Sequence, residues 1–378
     1  MELTNTQHVA LWGFVVAVAF GAIANKTNFC TMGAVSDWVN MGDKNRLRAW
    51  FLAIGIAILG SQILQTVVSI DLTKSIYLTA SFGWLGYLLG GLLFGIGMTL
   101  ASGCGQRTLV RIGGGNLKSL VVMLVMGITA YMTLRGLLAP VRINAIEVTN
   151  VDLAAHGIPN QGIATLILAA TGIGDANLVQ WGVTAVLGFG FIVFAFMSAD
   201  YRRSLDNILS GVSIGLFVVA GWYITGKLGF DEFDPVRLES YTFVSPVAES
   251  VNYLMTYTGS TINFGIAAAF GIVVGSFLYS VVSGRFSIET FGTRSDMIAH
   301  LIGGALMGFG GVLSLGCTIG QGVTGMSTLA VGSVITLLCI ISGSALTMKM
   351  QYYMLDEQGF IRALRLTLAD LKLLPPAG

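Results

Sequence analysis

Long apolar runs alternate with short polar connections along the whole chain. Nine runs are near twenty residues each: 8–25, 48–69, 82–102, 117–140, 178–198, 207–228, 262–283, 296–315 and 328–349. A helix of about 20 apolar residues crosses a hydrocarbon core of about 30 Å. The pattern therefore predicts an all-α integral membrane protein of about nine transmembrane helices, a single polytopic domain over 1–378. Two longer connections, 141–177 and 229–261, are too polar to span. Within the second, PVAESVNYLMTYT at 246–258 predicts a short re-entrant or surface helix. FIRALRLTLADLKLL at 360–374 has apolar residues at helical spacing, with Arg and Lys on the other face. It predicts a helix in the 352–378 tail that lies on the membrane interface or docks on the bundle.

Charge gives the runs a direction. Connection 25–48 carries Lys26, Lys44, Arg46 and Arg48, and connection 103–117 carries Arg107 and Arg111 with Lys118 just beyond. Connection 199–207 carries Arg202 and Arg203, connection 284–296 carries Arg285 and Arg294, and the tail adds Arg362, Arg365 and Lys372. The intervening connections are poor in basic residues. Segment 229–261 holds Asp231, Glu232, Asp234, Glu239 and Glu249 against Arg237 alone. Basic connections stay cytoplasmic, so the N-terminus is expected outside and the C-terminus inside. The opening MELTNTQH has no Lys or Arg before the first run, which favours a retained span over a cleaved signal.

Composition narrows the class. Charged residues are 10% of the 378, and mean hydropathy is +0.79. Soluble domains carry about 25% charge, so a soluble core is excluded. A net charge of +1 leaves no nucleic-acid footprint. The four cysteines follow no CxxC pattern, and His8, His156 and His300 are scattered, so neither a metal nor a cofactor is expected. No phosphate-binding loop or dinucleotide fingerprint occurs.

An internal repeat is the most informative feature. GGLLFGIGMTLASGCG at 90–105 and GGALMGFGGVLSLGCT at 303–318 align at one offset of 213. Gly90, Gly91, Gly95, Gly97, Gly103 and Cys104 then fall on Gly303, Gly304, Gly308, Gly310, Gly316 and Cys317. Five spans separate the two, an odd number, so the halves 8–140 and 207–349 are expected in opposite topology. Inverted repeats are a transporter plan, with substrate sites at the repeat interface. Segment 284–296 partly echoes the Cys30 segment, 25–38.

Cys104 and Cys317 stand at repeat-matched, Gly-flanked breaks at the ends of spans. Cys339, inside the last run, reads as a core residue. A Gly-rich break that opens a helix leaves backbone N–H groups facing outward, which favours an anion. A thiol adds a weak donor and a polarizable sulfur. Together they suit a soft, sulfur-bearing anion better than sulfate. Arg107 and Arg111, four apart, can share a helix face and draw an anion inward, or serve as cytoplasmic anchoring charges.

These motifs resemble a known family. NFCTMG at 28–33, SGCGQR at 102–107, GWYITG at 221–226 and GFGGVLSLGCTIGQGVTG at 308–325 are similar to the YeeE/YedE family of sulfur transporters. The resemblance implies an hourglass-like helical protein of the bacterial inner membrane with inverted halves, importing thiosulfate as a transporter and not an enzyme. It implies Cys30, Cys104 and Cys317 as a relay. Gly103, Gly105, Gln106, Arg107, Gly316, Thr318 and Gln321 flank them as candidate pathway residues. A small soluble cytoplasmic sulfur-carrier protein is the implied partner. Two alternatives stay open: a membrane sulfurtransferase or thiol oxidoreductase, and a transporter of another sulfur- or selenium-containing anion.

Overall fold

The computed structural model describes residues 4–172, 174–231, 235–355 and 360–370. In chain order the helices are α1 (Asn5–Thr27), α2 (Thr31–Ser36, continued by a π turn over Asp37–Met41), α3 (Asn45–Val67), α4 (Trp84–Leu100), α5 (Gly105–Gly113), α6 (Leu117–Arg135) and α7 (Ala139–Val141). Then come α8 (Ile163–Thr171), α9 (Ala176–Phe196), α10 (Ala199–Arg203), α11 (Leu205–Tyr223), α12 (Val244–Met255), α13 (Phe264–Val282) and α14 (Arg294–Leu313). A short helical segment, 318–327, precedes α15 (Val331–Leu355) and α16 (Phe360–Asp370). Among the described residues nine helical stretches are long and apolar enough to cross a membrane.

Side-chain oxygens close the starts of five long helices. Thr4, Asn116, Asp175, Asn263 and Thr293 each accept from a backbone N–H two or three residues on, ahead of α1, α6, α9, α13 and α14. Each satisfies a donor that the helix leaves unpaired. The expected short helix at 246–258 is α12, starting two residues earlier. The expected tail helix is α16, with Ala363 buried and Asp370 bonded by Lys349 and Tyr353 of α15. Residues 371–374 of that expectation, with Lys372, lie outside the described residues, as do Glu232 and Asp234. A two-stranded ribbon was not expected. β1 (Ser81–Phe82) pairs antiparallel with β2 (Val151–Asp152), tying connection 141–177 to the start of α4.

Glycine sets the helix crossings. A Cβ on Gly90 would lie 2.6 Å from the carbonyl oxygen of Gly310, and one on Gly310 would lie 2.6 Å from that of Gly90. Only residues without side chains let α4 and α14 approach this closely, the usual device where lipid supplies no hydrophobic drive. The main pairings recur between the two halves. α4 packs on α14 and α15, while α14 packs on α4 and α6; α1 lies along α13, and α11 along α3. α2 touches α15 and α3, while α12 touches α6 and α13. This lattice holds the two helix breaks at its centre.

Candidate functional site

The helix before each Gly-Cys pair ends in the same way. Gly103 donates to Met98 O at 2.8 Å, and Gly316 donates to Gly311 O at 2.8 Å. The residue that turns left-handed is not glycine, as the Gly-rich breaks suggest. It is Ser102 at φ 56° and Leu315 at φ 59°. Such a backbone costs about 1–2 kcal/mol for an L-residue. The adjacent glycines serve space instead. A Cβ on Gly103 would press on Arg107 Cγ, and one on Gly316 on Gln321 Cγ, each at 3.2 Å.

The next helices start on cysteine. Cys104 is the extended residue before α5, and Cys30 the extended residue before α2. Neither side chain caps its helix. Cys317 stands in the matching place, its carbonyl accepting from Gln321 N at 2.7 Å. Phe243 begins α12, again without a side-chain cap. Sulfur and phenyl groups accept hydrogen bonds poorly, so the first-turn N–H groups are left largely unpaired. Only weak contacts to sulfur remain: Gly320 N donates to Cys317 Sγ at 3.4 Å, and the Gly33 and Arg107 backbone N–H groups face the Cys30 and Cys104 sulfurs.

The structure brings the three thiol sites into one interior cluster. Cys30 is 6% exposed, and Cys104 and Cys317 are fully buried. The Cys30 and Cys104 thiols lie side by side, and the Thr318 hydroxyl lies beside the Cys104 sulfur. Cys317, next to Thr318 in the chain, is flanked by the Thr242 hydroxyl and the Phe243 backbone. Phe243 also reaches the other break, since a Cβ on Gly105 would lie 3.6 Å from Phe243 Cβ and 3.5 Å from Met126 on α6. Cys339 instead faces Gly91 of α4.

Charge flanks the cluster. Arg107 Nη2 donates to Asn28 Oδ1 at 2.9 Å, and Arg111 Nη1 donates to Ser102 O at 2.7 Å. Both thereby brace the Cys30 and Cys104 turns. One cavity of about 450 Å³ is lined by Met32, Ser36, Asn40, Thr99 and Ser102 among others. Another of about 380 Å³ is lined by Ser245, Glu249, Tyr253, Val312 and Leu315, with Arg135 and Arg237. The five residues named first in each differ by the repeat offset of 213. Glu239, near Tyr77 and Arg237, has its carboxyl pushed up to about 7, chiefly by burial.

The other sequence candidates divide in two. Gln321 is fully engaged: its Nε2 donates to Ser314 O and its Oε1 accepts from Ser333 Oγ, both at 2.5 Å. Gln106 is fully buried, and neither end of its amide has a partner. Sequence reasoning missed Tyr77, Thr242 and Phe243. The offset itself could have found Phe243, since it falls on 30 plus 213.

Comparison with known proteins follows the same residues. The sequence model of a family described as sulphur transport matches residues 26–346. The thiosulfate transporter TsuA of Escherichia coli (strain K12) is 25% identical over 334 residues, covering 83% of this chain and 86% of its own. The thiosulfate transporter TsuA of Spirochaeta thermophila is 24% identical over 348 residues, covering 88% of this chain and 97% of its own.

Proposed function

The chain belongs to the sulphur transport family, and from that premise we propose that it imports thiosulfate across the bacterial inner membrane. Its path runs through Cys317, Cys104 and Cys30. The observation that carries this reading is the thiol cluster at uncapped helix starts. A protonated thiol donates weakly to the terminal sulfur of thiosulfate, while first-turn N–H groups favour its charge. Contacts of this strength hold the anion without trapping it, as conduction through sites in series requires. Gly103, Gly105, Gln106, Gly316 and Thr318 shape the path. Gln321 keeps the Cys317 turn rigid, and Arg107 biases the anion toward the cytoplasmic side.

The two cavities serve as outer and inner vestibules of an hourglass. Residues 8–140 and 207–349 act as inverted halves, a reading supported by the matched bonds at Gly103 and Gly316. The N-terminus then faces out and the C-terminus in, with the 352–378 tail at the inner interface. A small soluble sulfur carrier takes the anion on the cytoplasmic side.

The test is uptake of radiolabelled thiosulfate into proteoliposomes holding the purified chain. Cys104→Ala is expected to abolish uptake and Cys339→Ala to leave it intact. Equal effects from the two would remove the assignment of roles. Mass spectrometry after thiosulfate exposure is expected to show no added sulfur on Cys104. A stable adduct would favour a sulfurtransferase instead.

A further inference from the structure

Three of the buried polar residues without hydrogen-bond partners share one position. Thr31 follows Cys30, Gln106 lies two residues after Cys104, and Thr318 follows Cys317. All three sit in the first turn of the helix that their cysteine starts. Their relative exposures are 3%, 0% and 0%, and none of their side-chain polar atoms makes an aligned hydrogen bond. Trp50 adds a fourth such group. Its ring stacks on Phe29, the residue before Cys30, with centroids 4.6 Å apart, and its Nε1 is unpaired.

Neighbouring polar groups are satisfied. Thr108 donates to Cys104 O at 3.0 Å, Thr324 donates to Tyr241 O at 2.7 Å, and Gln321 uses both ends of its amide. An unmade hydrogen bond in a dry interior is costly, and buried polar groups are rarely left so. Ser61, Ser75, Gln161, Thr336 and Thr367 also hold an unpartnered polar atom, but Thr31, Gln106 and Thr318 alone share the first turn of a helix that a cysteine starts.

We propose that Gln106 and Thr318 form an oxygen-binding subsite beside the Cys104 thiol. The station then selects anions that carry a soft sulfur at one end and an oxyanion at the other. The thiol reads the sulfur; the amide N–H and the hydroxyl read the oxygens. Sulfate lacks the soft end, and thiocyanate lacks the oxyanion end. Both donors are neutral, so they contribute selectivity without the hold of a buried cation. This rests on the thiosulfate path proposed above and names what distinguishes its substrate class.

Competition binding of radiolabelled thiosulfate to the purified full chain in nanodiscs tests it, with sulfate and thiocyanate as competitors. Gln106→Leu is expected to raise the thiosulfate Kd about tenfold or more, and to leave the thiocyanate inhibition constant within about twofold of wild type. Equal weakening of both anions would mean a packing role and overturn the proposal, as would no change in either. The Thr318→Val and Thr318→Ser pair guards against a Gln106 variant that does not fold. Val must weaken thiosulfate but not thiocyanate, and Ser must retain both; any other result overturns the subsite. A wild-type chain that binds no thiosulfate overturns the proposed function and this inference with it. Loss of binding in Cys104→Ala with unchanged binding in Gln106→Leu overturns this inference alone.

Discussion

At the scale of single residues, chemistry was legible where it broke a pattern. Cysteine between glycines in an apolar chain stood out, and Cys30, Cys104 and Cys317 meet in one cluster while Cys339 lies elsewhere. Satisfaction of hydrogen bonds was not legible. Gln106 and Gln321 look alike in sequence, yet one amide is orphaned and the other is doubly bonded. That difference depends on Ser314 and Ser333, which only the fold brings to Gln321. Glu239 likewise looked like one acid among several in an outer connection. Burial favours its neutral form, raising the folded value to about 7 from an ordinary 4.5. Its stabilising contribution is therefore complete below about pH 4.5 and is lost as pH rises through about 7. A wild-type melting midpoint that falls between pH 5 and 8 is expected, reflecting a loss on the order of 3 kcal/mol. Glu239→Gln should flatten that fall. An unchanged slope in the variant would assign the pH dependence to another group.

At the scale of elements, the apolar period placed the spans and the Gly-Cys pairs placed the breaks. The run at 82–102 is the single helix α4, and the chain turns at Ser102 and restarts at Cys104, at the Gly-flanked break expected there. Left-handed Ser102 and Leu315 carry no sequence signal, because nothing in a serine or leucine announces a positive φ. The helix starts carry a signal in reverse. Helices α1, α6 and α9 open on Thr, Asn or Asp, whereas α2 and α5 open on Cys and α12 on Phe. A missing oxygen cap is not peculiar to them, since α3, α4, α8 and α11 also start without a side-chain cap; what sets α2 and α5 apart is a buried cysteine in the capping place. Glycines divide between crossings and free faces. On α13, Gly275 packs against the Val18 backbone of α1, and a Cβ on Gly271 would lie 2.6 Å from Ala17 Cβ. A Cβ on Gly190 of α9 would meet nothing within 4 Å. Gly275→Leu is expected to abolish monodisperse protein on size exclusion, since neither backbone can yield. Gly190→Ala is expected to leave it intact or raise the melting midpoint, because Ala gains about 1 kcal/mol over Gly in a helix. Comparable losses from both would mean that glycine here serves something other than the α1 and α13 crossing.

At the scale of the whole molecule, one offset organises what the sequence showed in fragments. The repeat was visible only at 90–105 and 303–318, where glycine and cysteine coincide. The remainder had diverged in residue type but not in contact. The sequence echo placed the counterpart of the Cys30 segment at 284–296. The packing of α2 on α15 and α3, and of α12 on α6 and α13, points instead to α12. Cys30 then corresponds to Phe243, so one half offers a thiol where the other offers a ring. This asymmetry leaves two thiols close in the chain to residues of the cavity lined by Met32 and Thr99, and one close to residues of the cavity lined by Ser245 and Leu315. If the halves are inverted, Asn40 and Tyr253, 213 residues apart, line vestibules on opposite sides. Single Asn40→Cys and Tyr253→Cys variants, labelled in oriented vesicles with a membrane-impermeant maleimide, test this arrangement. Cys30, Cys104 and Cys317 are buried and are expected to react slowly, and a Cys339→Ala background removes the half-buried fourth thiol. Tyr253→Cys should react only from outside and Asn40→Cys only from the cytoplasmic side. Labelling of both from the same side would defeat the inverted arrangement, and with it the assignment of outer and inner vestibules, even if thiosulfate uptake itself were confirmed.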